Sequence, residues 1–112
     1  MEMNPSRLEQ LLAFYADAPR DPFTIYAIAT EYRPVDAQKA KAYYEILLNE
    51  HENYVGTYYH AASLYDELGQ KDEAEQVYKK GLKISRQQGD MHAFAELQQA
   101  YNKFQGLGFE DE

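Results

Sequence analysis

The chain has 112 residues, of which 45% are apolar and 27% are charged. These proportions are typical of a soluble globular protein and exclude collagen-like, low-complexity and disordered chains, and the length predicts one domain. Eleven basic and nineteen acidic side chains give a net charge of −8, which opposes binding to nucleic acid or to an anionic membrane surface. The absence of cysteine removes disulfides, thiol nucleophiles and zinc–thiolate sites.

The compartment is indicated by two kinds of targeting segment that the sequence lacks. The N-terminal residues Met1 to Pro5 do not form the basic and then apolar regions of a secretory signal. No apolar run approaches the roughly 20 residues that a membrane helix needs. We therefore expect a cytoplasmic protein. Met1 and the acidic C-terminal end favour a whole protein over an excised module.

The first predicted element is a helix over 6–17. Apolar residues at helical spacing give it one broad apolar face. These residues are Leu8, Leu11, Leu12, Phe14 and Tyr15. Pro19 ends the helix, which behaves as a capping half-repeat.

The next four predicted helices form two pairs that repeat one another. The first pair lies near 22–33 and 36–50, and the second pair lies near 54–68 and 71–88. Matching positions are 33 residues apart in the first helices and 34 apart in the second helices. The matches are Ile25, Ile28, Ala29 and Tyr32 with Tyr58, Ala61, Ala62 and Tyr65, and Ala40, Tyr44, Leu47 and Leu48 with Ala74, Tyr78, Gly81 and Leu82. One pair cannot bury its apolar face alone, so we expect the pairs to stack.

The turns within the pairs differ by one residue. Pro34 cannot continue a helix and lies in the shorter turn of the first copy. Gly69 lies in the longer turn of the second copy and suits a left-handed helix stop. Asp36 is placed to cap the helix that follows it.

A last helix is predicted over about 90–104, with Phe94, Leu97 and Tyr101 at the spacing of a first helix. The chain is thus read as one domain over 1–112 with five parts. They are a capping helix (6–17), a first repeat (about 21–53), a second repeat (about 54–88), a C-terminal helix (90–104) and a frayed acidic tail (105–112).

These matched positions resemble the tetratricopeptide repeat (TPR), a helix pair of 34 residues with aromatic and small residues at fixed places. The match is closest in the second copy, and Pro19 corresponds to the proline that usually closes a repeat. The resemblance implies an all-α fold, a TPR-like alpha-alpha superhelix. It would be a short right-handed solenoid of about six antiparallel helices, with two full repeats and a half-repeat at each end. The layout also resembles small stand-alone bacterial TPR proteins, to which no reaction is usually attached.

Motifs that carry catalysis are absent from the sequence. It contains no GxxxxGK phosphate loop, no HExxH zinc pair and no GxSxG elbow. His51, His60 and His92 lack partners at i+4, so no shared metal site is expected. We expect no enzyme and no cofactor.

A binding surface is implied by the resemblance, because the first helices of a TPR stack line its concave side. The residues expected there are Phe23, Tyr26 and Thr30, then Tyr59, Ser63 and Asp66, then Ala95, Gln99 and Asn102. Tyr26 and Tyr59 serve either as anchors for a ligand or as packing between neighbouring helices. No lysine or arginine is expected on this face except Arg33. This lack of basic residues argues against the carboxylate clamp, with which some TPR domains bind acidic C-termini. A neutral or basic segment with an apolar anchor suits such a groove better.

The function that these observations favour is a non-catalytic module that binds a peptide or protein segment. The alternative is self-association as a weak homodimer through the terminal helices. Its contacts would come from Phe94, Leu97, Tyr101 and Phe104, or from Leu8 and Leu12. An RNA-binding array of the pentatricopeptide type would need a longer repeat and basic grooves, whereas both halves of this chain are acidic.

Overall fold

The computed structural model describes residues 6–106, which form six α-helices and no strand. The helices are α1 (Arg7–Asp17), α2 (Pro22–Tyr32), α3 (Ala37–Glu50), α4 (Gly56–Glu67), α5 (Lys71–Gln88) and α6 (Met91–Phe104). Each predicted helix is present, with its ends within two residues of the predicted ends. The frayed tail was predicted over 105–112, and its residues from 107 onward lie outside the described part of the chain.

The chain divides into two compact units. The N-terminal unit, Met1–Tyr54, contains α1, α2 and α3, and the C-terminal unit, Val55–Glu112, contains α4, α5 and α6.

Four helices begin at a residue whose side chain caps the helix. Ser6 and Glu9 form a capping box on α1, in which each side chain accepts a hydrogen bond from the backbone N–H of the other, at 3.0 and 2.9 Å. The helices α2, α3 and α6 begin at aspartates, Asp21, Asp36 and Asp90. Such caps satisfy backbone N–H groups that lack a partner inside the helix. The cap predicted at Asp36 is confirmed, with Lys39 N donating to its carboxylate at 3.1 Å.

Glycines in the left-handed conformation follow α4, α5 and α6, the last of them being Gly106 with φ +78°. Gly69 has φ +80° after α4, as the sequence predicts, and Gly89 has φ +71° after α5. A side chain at either position would strain the backbone.

The core of the N-terminal unit lies on both sides of α2. On one side Leu11 of α1 packs with Ala27 and Ile28, surrounded by half-buried Leu8, Leu12, Tyr15, Tyr32 and Tyr43. The helices α2 and α3 contribute further buried residues, Ile25, Ala29, Ala40, Tyr44 and Leu47. The apolar stripes found in the sequence therefore supply the buried faces, except at Phe14 of α1, which was predicted on the apolar face and is 63% exposed.

The core of the C-terminal unit lies where α5 packs against α4 and α6. Its buried side chains are Tyr58, Ala61, Ala62, Leu64, Tyr65, Ala74, Tyr78, Ile84, Leu97 and Tyr101. Leu97 and Tyr101, two residues considered for self-association, thus lie inside this unit, and Phe94 and Phe104 are half-buried.

The backbone of α5 comes close to α4 at Gly81. A Cβ atom added to Gly81 would lie 2.5 Å from the Tyr58 Cβ and 3.1 Å from the Leu97 Cδ1. The tyrosine ring therefore occupies the space that a side chain at Gly81 would need. The first repeat has Ile25 at the place of Tyr58 and Leu47 at the place of Gly81, and both are fully buried. The smaller residue on its first helix is thus matched by a larger residue on its second helix.

Replacing Gly81 with alanine should lower the free energy of unfolding by about 1–3 kcal/mol, the usual cost of overpacking a core. The loss is expected even though alanine favours a helix over glycine by about 1 kcal/mol. Urea unfolding followed by circular dichroism measures it. The matched control is Gly56→Ala in the first turn of α4, where an added Cβ meets no atom within 4 Å and stability should hold or rise. A Gly81→Ala protein as stable as the control would contradict the close approach.

A threonine near the start of the first helix of each repeat differs between the repeats. Thr24 donates its hydroxyl to the capping carboxylate of Asp21 at 2.8 Å. The second repeat has Tyr54 at the position of Asp21, and α4 has no side-chain cap. The buried hydroxyl of Thr57 accordingly has no hydrogen-bond partner among the described residues.

Replacing Thr57 with valine should leave the free energy of unfolding unchanged or raise it, because it removes a buried hydroxyl that has no partner. Thr24→Val, the same change in the first repeat, removes a hydrogen bond and should cost about 0.5–1.5 kcal/mol. Thermal unfolding of the two variants beside the parent compares them. Equal losses in both variants would contradict the assignment.

Candidate functional site

The residues predicted to bind on α2 lie beside a cluster of phenol rings. Tyr26 is half-buried, with its ring edge-on to Tyr44 at 6.5 Å and to Tyr54 at 5.9 Å between centroids. Thr30 Oγ1 lies 3.2 Å from the Tyr44 hydroxyl. Phe23 is exposed, with 56% of its surface accessible. Tyr26 therefore packs within the N-terminal unit, while Phe23 offers free apolar surface.

Burial shifts the pKa values of two phenols in this cluster. It raises the pKa of Tyr44 above the ordinary 10.0, an effect that the hydrogen bond between Tyr44 and Thr30 opposes. It also raises the pKa of Tyr54, with a further contribution from the neighbouring Tyr26. Both phenols keep their protons at neutral pH and act as hydrogen-bonding groups.

The C-terminal unit contains a groove with a volume of about 1060 Å³. It is called the α4–α6 groove here. Its lining comes from α4 (Tyr59, Ser63, Asp66), from α5 (Lys71, Tyr78) and from α6 (Glu96, Gln99, Ala100, Lys103, Phe104). Four residues predicted from the sequence, those of α4 together with Gln99, meet in this groove. Asn102 is not part of its lining and accepts a hydrogen bond from Gln98 at 2.9 Å.

The floor of the α4–α6 groove is aromatic. Tyr78 is buried, and its ring centroid lies 5.4 Å from that of half-buried Phe104. On the α4 wall Tyr59 stacks against His60 with centroids 5.2 Å apart and keeps 37% of its surface exposed. The groove therefore combines apolar surface below with an accessible phenol on one wall.

Two acidic and two basic side chains line the groove. Lys71 forms an ion pair with Asp66, and its ammonium lies 5.9 Å from the centre of the Phe104 ring. Glu96 and Lys103 are exposed, and within residues 6–106 neither forms an ion pair. The formal charge of the groove is zero, in contrast to the acidic chain around it.

The expectation that no lysine lies on this face was wrong. Lys71 reaches the groove from the start of α5, outside the first helices from which the face was derived. Lys103 lies four residues after Gln99 on α6, and this spacing, which puts both on one helix face, was the signal that could have identified it.

The α6 wall is tied to α5 by a hydrogen bond, in which the Tyr101 hydroxyl donates to Glu75 Oε2 at 2.9 Å. This bond lowers the pKa of the Glu75 carboxyl below its ordinary 4.5, and Lys79 adds to the effect. Burial and the same carboxylate raise the pKa of Tyr101. The bond holds α6 in place beside the groove that it lines.

Metal-binding clusters and membrane-spanning helices are both lacking in the described part of the chain. No group of three histidine, aspartate or glutamate side chains within residues 6–106 could hold a metal ion. None of the six helices is long and apolar enough to cross a bilayer.

Comparison with known proteins gives matches of two kinds. The family model of the tetratricopeptide repeat matches residues 55–88. The solution NMR structure of a tetratricopeptide repeat domain protein from Salinibacter ruber is 40% identical over 84% of this chain and 96% of its own, with a TM-score of 0.75. A crystal structure of such a protein from Salinibacter ruber is 41% identical over 80% of this chain and 100% of its own, with a TM-score of 0.73. No curated protein matches the chain.

Replacing Tyr101 with phenylalanine should raise the pKa of Glu75 towards 4.5, because the hydrogen bond to the carboxylate is the main cause of its lowered value. A carboxyl group with a lowered pKa stabilises the fold fully above its unfolded pKa, and this contribution is lost as the pH falls through the folded pKa. The stability difference between parent and variant should therefore shrink in acid.

The titration is followed by NMR of the Glu75 side chain, and the stability by urea unfolding at pH 7 and pH 3. Tyr43→Phe is the control, because the ring of Tyr43 contacts other tyrosines and not a carboxylate. An unchanged pKa of Glu75 in Tyr101→Phe would contradict the assigned role of the bond.

Proposed function

The chain belongs to the tetratricopeptide repeat family, and we propose that it binds an extended segment of another polypeptide in the α4–α6 groove without catalysing a reaction. The predicted all-α, TPR-like fold is confirmed by the six helices and by the similarity to the Salinibacter ruber structures. Repeats of this family are in general protein-interaction modules. The lack of catalysis and the cytoplasmic location stay predictions.

The observation that carries the proposal is the convergence of Tyr59, an aromatic floor and exposed polar side chains in one open groove. These polar side chains are Glu96, Gln99 and Lys103. Tyrosine is a favoured interface residue because it offers a large area and one polar tip at little entropic cost. The exposed Gln99 can both donate to and accept from a peptide backbone. An open groove of about 1060 Å³ has room for several residues of an extended chain.

The floor and the net charge indicate what such a segment would carry. The half-buried ring of Phe104 favours an apolar or aromatic side chain as the anchor. Because the formal charge of the lining is zero, the groove attracts neither a strongly acidic nor a strongly basic segment. A segment that is neutral overall therefore suits it best. Phe23, Tyr26 and Thr30 on α2 remain a predicted second contact surface.

The test uses peptides that are selected from a random dodecapeptide library by their binding to the full chain. We expect Tyr59→Ala to weaken the binding of a selected peptide about ten-fold, or about 1.4 kcal/mol, because the phenol is an anchor of the groove. Fluorescence anisotropy with the labelled peptide measures the affinity. The control is Phe14→Ala, which removes an aromatic ring that is 63% exposed on α1 and should change the affinity less than two-fold.

Two outcomes would overturn the proposal. One is a library from which the chain enriches no peptide. The other is a selected peptide whose affinity survives Tyr59→Ala and falls with Phe14→Ala, which would place the site outside the groove. Tyr26→Ala, measured in the same way, tests the predicted surface on α2.

A further inference from the structure

The α6 wall of the groove carries an acid, an amide and a base in one row. Glu96, Gln99 and Lys103 follow one another at i, i+3 and i+7, which places them on the same helix face. Two turns of helix separate the two charges by about 10.5 Å along the axis. All three side chains are exposed, and within residues 6–106 none of them forms a hydrogen bond or an ion pair.

The remaining charges of the groove are already paired. Asp66 holds Lys71, and the ammonium of Lys71 also faces the Phe104 ring. A ligand therefore meets a neutralised pair there and two uncommitted charges of opposite sign on α6. An uncommitted charge that a ligand covers must be matched, because a buried charge without a partner is costly.

Resting on the proposed function, we infer that the α4–α6 groove selects segments of mixed charge. One basic side chain pairs with Glu96 and one acidic side chain pairs with Lys103. An apolar or aromatic residue between them contacts the floor at Phe104, whose ring is half-buried. Side chains on one face of an extended chain recur about every 6.6–6.8 Å. The two charged residues of the ligand are therefore expected two to four positions apart.

This pattern discriminates against segments of a single charge. A wholly acidic segment brings like charge to Glu96, and the chain adds a net charge of −8. A wholly basic segment leaves Glu96 satisfied but brings like charge to Lys103. Such repulsion against wrong partners gives an interface its specificity.

The experiment is a charge-reversal rescue on dodecapeptides selected with the parent chain. Lys103→Glu should weaken a selected peptide at least five-fold, and changing the acidic residue of that peptide to lysine should restore its affinity for the Lys103→Glu protein to within two-fold. The reciprocal pair, Glu96→Lys with the basic residue of the peptide changed to glutamate, should behave in the same way. Lys83→Glu is the matched control, since Lys83 is exposed on α5 outside the groove lining and the net charge changes equally.

The outcomes separate this inference from the proposed function. Selected peptides that lose affinity with Tyr59→Ala but show neither mixed charge nor rescue would overturn the inference and leave the function standing. Equal losses of peptide affinity with Lys83→Glu and Lys103→Glu would show that only the net charge matters, and they would also overturn the inference. A chain that enriches no peptide, or that forms a dimer in light scattering which Tyr59→Ala dissociates, would overturn both.

Discussion

The missing side chain at Gly81 is the constraint on which the C-terminal unit depends. Because α5 has no Cβ there, Tyr58 of α4 packs against its backbone, and Leu97 of α6 reaches the same place. All three helices of the unit thus meet around one small residue. The first repeat fills the corresponding space differently, with Leu47 and Ile25, so what the repeats share is a matched pair of sizes and not a fixed residue.

The groove follows from this packing and from one polar contact. Leu97 anchors the middle of α6 in the core, and the hydrogen bond from Tyr101 to Glu75 fixes its later turns against α5. The face of α6 that carries Glu96, Gln99 and Lys103 stays exposed, and together with α4 and Tyr78 it lines the groove. The binding residues are consequently carried on helices whose positions the core determines, which is the preorganisation that an interaction surface needs.

Much of this fold could be predicted from the sequence, because its signals are local. Apolar spacing located the six helices, and Asp36 and Gly69 marked ends that depend on neighbouring residues only. The groove was predicted in part. Tyr59 and Gln99 were expected there from the resemblance to the first helices of TPR domains, but Lys71 enters through an ion pair with Asp66 that crosses a turn. The unpaired hydroxyl of Thr57 results from the missing cap on α4 and from the burial of the side chain. It could not be predicted from the sequence, because burial is known only from the packed structure.

The most direct measurement is an amide NMR titration of the labelled chain with a selected dodecapeptide. We expect the largest chemical-shift changes on α4 near Tyr59 and on α6 from Glu96 to Lys103, with smaller changes on the outer face of α5 around Lys83. Changes centred on the outer face of α5 or on α1, with α4 and α6 unaffected, would contradict this expectation.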